Sequence, residues 1–230
     1  MTDSGASKHR DDLRAELVRR FRTTTRSLRV AERDVVLLSP ANADDLISED
    51  DYVADERLPY WADLWPSAQI LANEVAIMRL KGLRVLELGC GLGVVALGAA
   101  LAGAQVTATD YYDDALLFAE LNVAVATGQT IATRMVNWVD MPTDLGKFDV
   151  VLASDVLYEH RYAAMVADAI AKTLVRGGEA IVADPGRIAL DEFLEECRDR
   201  GLSSESDPRP YVDGEIKQTI TLHRLHWRTD

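Results

Sequence analysis

Residues 84–93 read Arg84-Val-Leu-Glu87-Leu-Gly89-Cys-Gly91-Leu-Gly93, and the fold follows from this stretch. Its first half is a short apolar run of strand length. Its second half sets three glycines at alternate positions, and a run of small apolar residues over 92–101 follows. A strand, a glycine turn and a helix make the opening of a βα unit. Glycine allows the sharp turn and lets a ligand come close to the backbone. A dinucleotide loop, G-x-G-x-x-G, needs its third glycine at 94, where this chain has Val94. Glu87 stands just before the turn, and a carboxylate there suits a ligand with an ammonium group and no pyrophosphate. Asp110 closes the next strand-like run and can accept both hydroxyls of a ribose.

Downstream, strand and helix patterns alternate. Strands are expected over 84–88, 105–109, 131–136, 148–153 and 179–183. Helices are expected over 92–101, 113–126, 162–175 and 188–200, with Gly177-Gly178 and Gly201 closing the last two. This rhythm predicts an α/β, doubly wound, parallel sheet. The end differs: 203–207 and 215–227 read as strands with no helix between them, joined by a turn over 208–214 that holds Pro208, Pro210 and Gly214. An antiparallel pair on the sheet edge follows.

Upstream, residues 1–9 are small and polar and read as a disordered tail. Leu13, Leu17 and Phe21 fall on one face of a short basic helix over 11–22. Asp34–Ser39 reads as a strand, stopped at Pro40. An acidic, irregular stretch covers 41–60. Pro66, a favourable first-turn residue, starts a helix to about residue 80, with Ile70, Leu71, Val75 and Met78 as its stripe. The expected organisation is one domain: a tail over 1–9, a helix and strand extension with its acidic loop over 10–65, and a core over 66–230.

Composition narrows the function. The formal net charge of −13 argues against a nucleic-acid groove. Residues 1–33 carry nine Lys/Arg against five Asp/Glu, so the remainder carries −17. Seven acids (Asp44, Asp45, Glu49, Asp50, Asp51, Asp55 and Glu56) follow this basic arm; they are a solvated face or an attractor for a cationic substrate. No apolar run is long enough for a transmembrane helix, and no secretory signal is visible. The two cysteines, Cys90 and Cys197, form neither a disulfide framework nor a zinc motif. The expected setting is cytoplasmic, with no membrane and no metal; the oligomeric state is not legible.

Glu87-x-Gly89-x-Gly91-x-Gly93, with acid at the end of the second strand, resembles the seven-strand (class I) S-adenosylmethionine-dependent methyltransferases over about residues 60–227. The resemblance implies a Rossmann-like sheet in the order 3-2-1-4-5-7-6, with strand 7 antiparallel. It implies S-adenosyl-L-methionine as cofactor, with Glu87 and Gly89 near its methionine part, Asp110 on the ribose and Tyr111 near the adenine. Three further segments resemble the protein lysine methyltransferases with a D-x-x-Y motif: Pro59-Tyr-Trp61-Ala-Asp-Leu-Trp65-Pro66, Asn137-Trp138, and Ser154-Asp155-Val-Leu-Tyr158. By that resemblance Trp65, Trp138 and Ser154 contact the cofactor. Leu37-Leu38-Ser39-Pro40, the Trp-Pro segment and Asp184-Pro185-Gly186-Arg187 are most similar to the enzymes that methylate the electron-transfer flavoprotein β subunit. Ser-Asp in place of Gly-Asp departs from that pattern and is also similar to an arginine-directed member.

Methyl transfer requires two reactants held in line and water excluded. Asp155 is the expected polar anchor for an incoming ammonium, or else a helix cap; Tyr158 hydrogen-bonds the amine or walls the channel. The Asn/Asp-Pro-Pro-Tyr stretch of nucleobase-amine enzymes is absent. His160, His223 and His226 lack partners at metal spacing, and Cys90 reads as a packing residue. By the resemblance, the leading expectation is a protein partner presenting a lysine. A small-molecule amine methyltransferase and a non-catalytic cofactor-binding module stay open beside it.

Overall fold

A computed structural model describes residues 3–47 and 58–229. The chain opens with α1 (Asp3–Arg20), β1 (Thr23–Val30) and β2 (Arg33–Pro40). The core follows as α2 (Pro66–Ala76), β3 (Arg84–Leu88), α3 (Val94–Leu101), β4 (Gln105–Asp110), α4 (Asp113–Thr127), β5 (Ala132–Met135) and β6 (Phe148–Ser154). It ends as α5 (Tyr162–Thr173), β7 (Leu174–Asp184), α6 (Leu190–Asp199), β8 (Leu202–Asp213) and β9 (Ile216–Trp227). The seven-stranded sheet has the order β5-β4-β3-β6-β7-β9-β8. Strands β3 to β7 pair in parallel, and β9 runs antiparallel to both neighbours. Numbered from β3, this is the expected order 3-2-1-4-5-7-6.

Buried side chains cover both faces of the sheet, so the parallel strands read as nearly continuous apolar runs. The small residues of α3 let it approach α2 closely. A Cβ at Gly98 would lie 2.5 Å from the Ala72 carbonyl oxygen, so only glycine fits this crossing.

Several boundaries differ from the sequence expectation: the helix expected to about residue 80 ends at Ala76, and three larger differences follow. The first helix begins at Asp3, where a tail over 1–9 is expected; His9 pairs with Glu120 at 2.7 Å, and Arg20 pairs with Asp114. Gly177-Gly178 does not close a helix. The chain leaves α5 at Leu174, and a register shift opposite 148–150 absorbs the glycines within β7. The turn expected over 208–214 is mostly strand. β8 is an edge strand, where Pro208 and Pro210 sacrifice no ladder bond needed by a further neighbour.

The N-terminal hairpin was half visible in the sequence, since only β2 carries a clear apolar face. It is tied to the core by two asparagines. Asn122 on α4 accepts the Leu38 N–H at 2.8 Å and donates to the Leu38 and Leu92 carbonyls, both at 3.0 Å. Asn73 on α2 accepts the Ala31 N–H at 2.7 Å. Leu13 and Leu17 are buried, and Phe21 packs on Phe118 with ring centroids 5.4 Å apart. Of the acidic cluster, Asp44 and Asp45 sit in a short 3-10 turn capped by Asn42; the others lie outside the described residues. Among the described residues, no helix is long and apolar enough to cross a membrane.

His223 on β9 is 3% exposed, with Nδ1 3.0 Å from Ser206 Oγ and Nε2 without a hydrogen-bond partner. Burial holds its imidazole below the ordinary histidine range. The unfolded chain takes up this proton near pH 6.5, so His223 contributes stability that is full above that pH. That contribution is lost as pH falls through the lowered folded-state value. Buried Glu87, Asp110 and Asp184, pushed up by burial, act in the opposite sense. Comparing urea unfolding of the wild type and His223→Gln at neutral and acidic pH isolates the histidine. The variant should lose less stability on acidification.

Candidate active site

The C-terminal ends of β3, β4 and β6 open into one cavity of about 1180 Å³ including its mouth. Gly89, Gly91 and Gly93 all have positive φ, between 49° and 77°. At Gly93 the requirement is steric as well: a Cβ there would lie 2.6 Å from the Ala119 Cα, so α4 would have to move. A Cβ at Gly89 would reach Val156 at 3.1 Å and the Trp138 ring at 3.5 Å. Gly89 and Gly91 thus put bare backbone in the cavity wall, whereas Gly93 is outside the lining and its bare backbone faces α4.

Asp110 ends β4 and is 8% exposed. Its Oδ2 accepts the Gly91 N–H at 2.9 Å and its Oδ1 accepts the Tyr112 N–H at 3.1 Å. Burial pushes this carboxyl up, and the N–H groups of Gly91, Tyr112 and Tyr111 pull it back. Tyr111 lines the same wall and is exposed. Glu87 is different. It is 1% exposed, its Oε2 has no partner, and it does not line the cavity. Burial drives its carboxyl well above the usual range, with the charge of Asp110 adding to the rise.

On the opposite flank, Ser154, Asp155 and Tyr158 line the cavity. Asp155 adopts φ of 59°, a left-handed conformation rare outside glycine. Its N–H donates to the Ala183 carbonyl at 3.0 Å. Its Oδ2 accepts from Ser67 Oγ at 2.9 Å, and its Oδ1 accepts from Arg187 Nε at 2.6 Å. Asp155 does not cap a helix, since α5 starts seven residues on, at Tyr162, with Arg161 at the N-cap. Tyr158 packs edge-on between Tyr60 (5.2 Å) and Tyr162 (4.9 Å). Burial and the neighbouring Tyr162 raise its phenol, which stays protonated. Trp65 joins Tyr60 at 6.0 Å and Trp138 joins Tyr162 at 5.6 Å, so five rings run along the cavity.

Some residues in and around the wall carry no individual signal in the sequence. Ser67 is an ordinary first-turn serine until folding sets it beside Asp155. Tyr60 and Tyr162 show their role only through ring contacts. Asp184-Pro-Gly-Arg187 proves to be a built turn: buried Asp184 Oδ1 accepts the N–H groups of Gly186 and Arg187, both at 2.7 Å. His160 instead pairs with Glu192 at 2.9 Å, away from the cavity. Cys90 lines the cavity as a buried thiol pushed up by burial. Among the described residues no cluster suits a metal ion.

The chain is similar to known proteins in sequence and in fold. A family model described as lysine methyltransferase matches residues 60–195. The electron transfer flavoprotein beta subunit lysine methyltransferase of Danio rerio is 30% identical over 146 residues, covering 58% of this chain and 53% of the relative. Protein N-lysine methyltransferase METTL21A of Danio rerio is 34% identical over 160 residues, 63% of this chain and 70% of that one. The chain thus spans about half the length of the flavoprotein-directed relative. Magnesium protoporphyrin IX methyltransferase from Synechocystis, crystallised with bound SAM, shares the fold. Its TM-score is 0.58 at 21% identity, covering 81% of this chain and 98% of that one.

The residues fit S-adenosylmethionine: a glycine cradle that a Cβ would fill, and a buried carboxylate already aimed at the cavity. Asp110→Ala should weaken binding of S-adenosylhomocysteine by about 2–4 kcal/mol, the cost of removing a charged acceptor and leaving its donors unpaired. Isothermal calorimetry measures this. Tight binding of a nicotinamide dinucleotide in place of the sulfur ligand would contradict it.

Proposed function

The chain belongs to the lysine methyltransferase family, and from that premise we propose that it transfers methyl groups from S-adenosylmethionine to a lysine side chain of a protein. The β subunit of electron-transfer flavoprotein is the first substrate to test, because a relative named for that substrate is 30% identical. One observation carries the reading: a single cavity is lined by the glycine loop with Asp110 and, on its other flank, by Asp155 with Tyr158. One set suits a cofactor, and the other suits a cationic acceptor. A cytoplasmic setting is part of this reading.

S-adenosylmethionine, when bound, supplies a methyl carbon activated by its sulfonium. The protein's work is holding and drying. In this reading Asp110 binds the ribose hydroxyls, Tyr111 borders the adenine, and the Gly89–Gly93 backbone leaves room for the methionine part. Trp65, Trp138 and Ser154 border the same ligand. Glu87 acts from behind the loop, since it lies outside the cavity lining. The five-ring wall excludes water and offers aromatic faces to a cation. Asp155 receives the lysine ammonium on lone pairs that Ser67 and Arg187 leave unused, since each carboxylate oxygen has two. The ammonium would lose its proton to bulk water at the cavity mouth before it is enclosed, which would free its nitrogen lone pair for the methyl group. Tyr158, protonated, orients that nitrogen as a hydrogen-bond partner.

Asp155→Ala should remove most methyl transfer, while S-adenosylhomocysteine binding stays near wild type. A folded variant with wild-type turnover would make Asp155 purely structural.

The acceptor itself is tested by mass spectrometry of the flavoprotein β subunit after incubation with enzyme and cofactor; added methyl on lysine is expected. Because residues 34–230 carry −17, kcat/KM for a lysine-rich substrate should fall as salt rises. Label appearing only in small amines, or on arginine, would replace the lysine reading.

A further inference from the structure

Arg187 lies beside the cavity, outside its lining, with its side chain 35% exposed. It is absent from the lining, yet it touches two residues that are part of that lining. Its Nε donates to Asp155 Oδ1 at 2.6 Å, and its guanidinium carbon sits 5.4 Å from the centroid of the Trp65 ring. The Asp155 side chain is 5% exposed, so its negative charge has little water and depends on this partner. The arginine in turn is held by its own turn. Asp184, fully buried at the end of β7, accepts the Arg187 N–H, and the Ala183 carbonyl beside it accepts the Asp155 N–H at 3.0 Å.

We infer that Arg187 is a positioning residue that sets the acceptor side of the cavity, fixing the Asp155 carboxylate and the Trp65 ring in one frame. The inference rests on the reading that Asp155 receives the acceptor amine. Three separately encoded segments meet at this guanidinium: the loop after β6, the loop after β7 and the segment leading into α2. Ser67 in the first turn of α2 closes the arrangement from the other side by donating to Asp155 Oδ2 at 2.9 Å. A carboxylate in left-handed backbone has no helix or strand to orient it, so these two donors set the direction of its free lone pairs. Lysine cannot take the place of arginine here. An ammonium can pair with Asp155 but offers no planar group to lay over an indole while doing so.

The test uses Arg187→Lys, Arg187→Gln and Arg187→Ala in the full chain, with three readouts. In steady-state transfer, Arg187→Ala and Arg187→Gln should lose roughly 100-fold in kcat, the order expected for a reactant misplaced by about 1 Å. Arg187→Lys should fall between these and the wild type, and S-adenosylhomocysteine affinity should fall far less than kcat, since Arg187 reaches the cofactor flank only through the Trp65 ring. Added methylguanidinium should restore part of the rate of Arg187→Ala, which a general loss of folding would not allow. The indole N–H resonance of Trp65, assigned by its loss in Trp65→Phe, should shift in Arg187→Gln without any acceptor present. A folded Arg187→Gln with wild-type kcat, or with an unshifted Trp65 resonance, would overturn the inference. So would a rate loss that tracks the melting temperature and resists methylguanidinium. A wild-type protein that methylates no protein lysine would overturn the proposed function instead, and the indole readout would still test the geometry.

Discussion

The site is organised by one buried carboxylate. Asp110 takes the Gly91 and Tyr112 N–H groups on its two oxygens, and so joins the loop after β3 to the loop after β4. Left-handed glycines have many conformations open to them, and ordering them is costly in entropy. The two charge-assisted bonds select one conformation before any ligand arrives. Parallel neighbours make this possible: β3 and β4 pair in register, with Leu88 opposite Thr109, so both chains leave the sheet at the same level.

A second carboxylate, at the end of β6, is used differently. Asp110 is satisfied by backbone donors of its own neighbourhood. Asp155 is satisfied by side chains from distant segments, 88 and 32 residues away in sequence. Its task, in the proposed reading, is to meet a second molecule. The two acids thus divide the cavity into a flank fixed by local backbone and a flank fixed by tertiary packing. Glu87, the third buried acid near the loop, lies outside the lining and is pushed toward its neutral form by burial.

How far the sequence could be read follows from this division. The glycine loop, Asp110 and the sheet order were legible because each depends on short-range spacing or on the strand-helix rhythm. The ends of elements were not. Gly177-Gly178 can end a helix or bulge a strand, and the difference lies in the pairing with β6. Two prolines in β8 mark a turn in isolation and an edge strand in the sheet. β1 carries too few apolar residues for its face to show, because much of it remains exposed. The Ser67–Asp155–Arg187 contact has no local signal: three common residue types meet only after α2 packs against the strand ends.

Asn122 extends the reach of the site beyond its own walls. One amide serves both Leu38 in the N-terminal hairpin and the Leu92 carbonyl in the glycine loop. Opening the hairpin leaves that buried amide partly unpaired, beside the turn that receives the ligand. Hairpin and loop are therefore linked equilibria, and a ligand that tightens the loop raises the free energy needed to open the hairpin. By the same reciprocity, a change that loosens the Leu38 backbone would be felt at the Leu92 end of the glycine loop. One side chain thus serves both the outer hairpin and the turn beside the cavity.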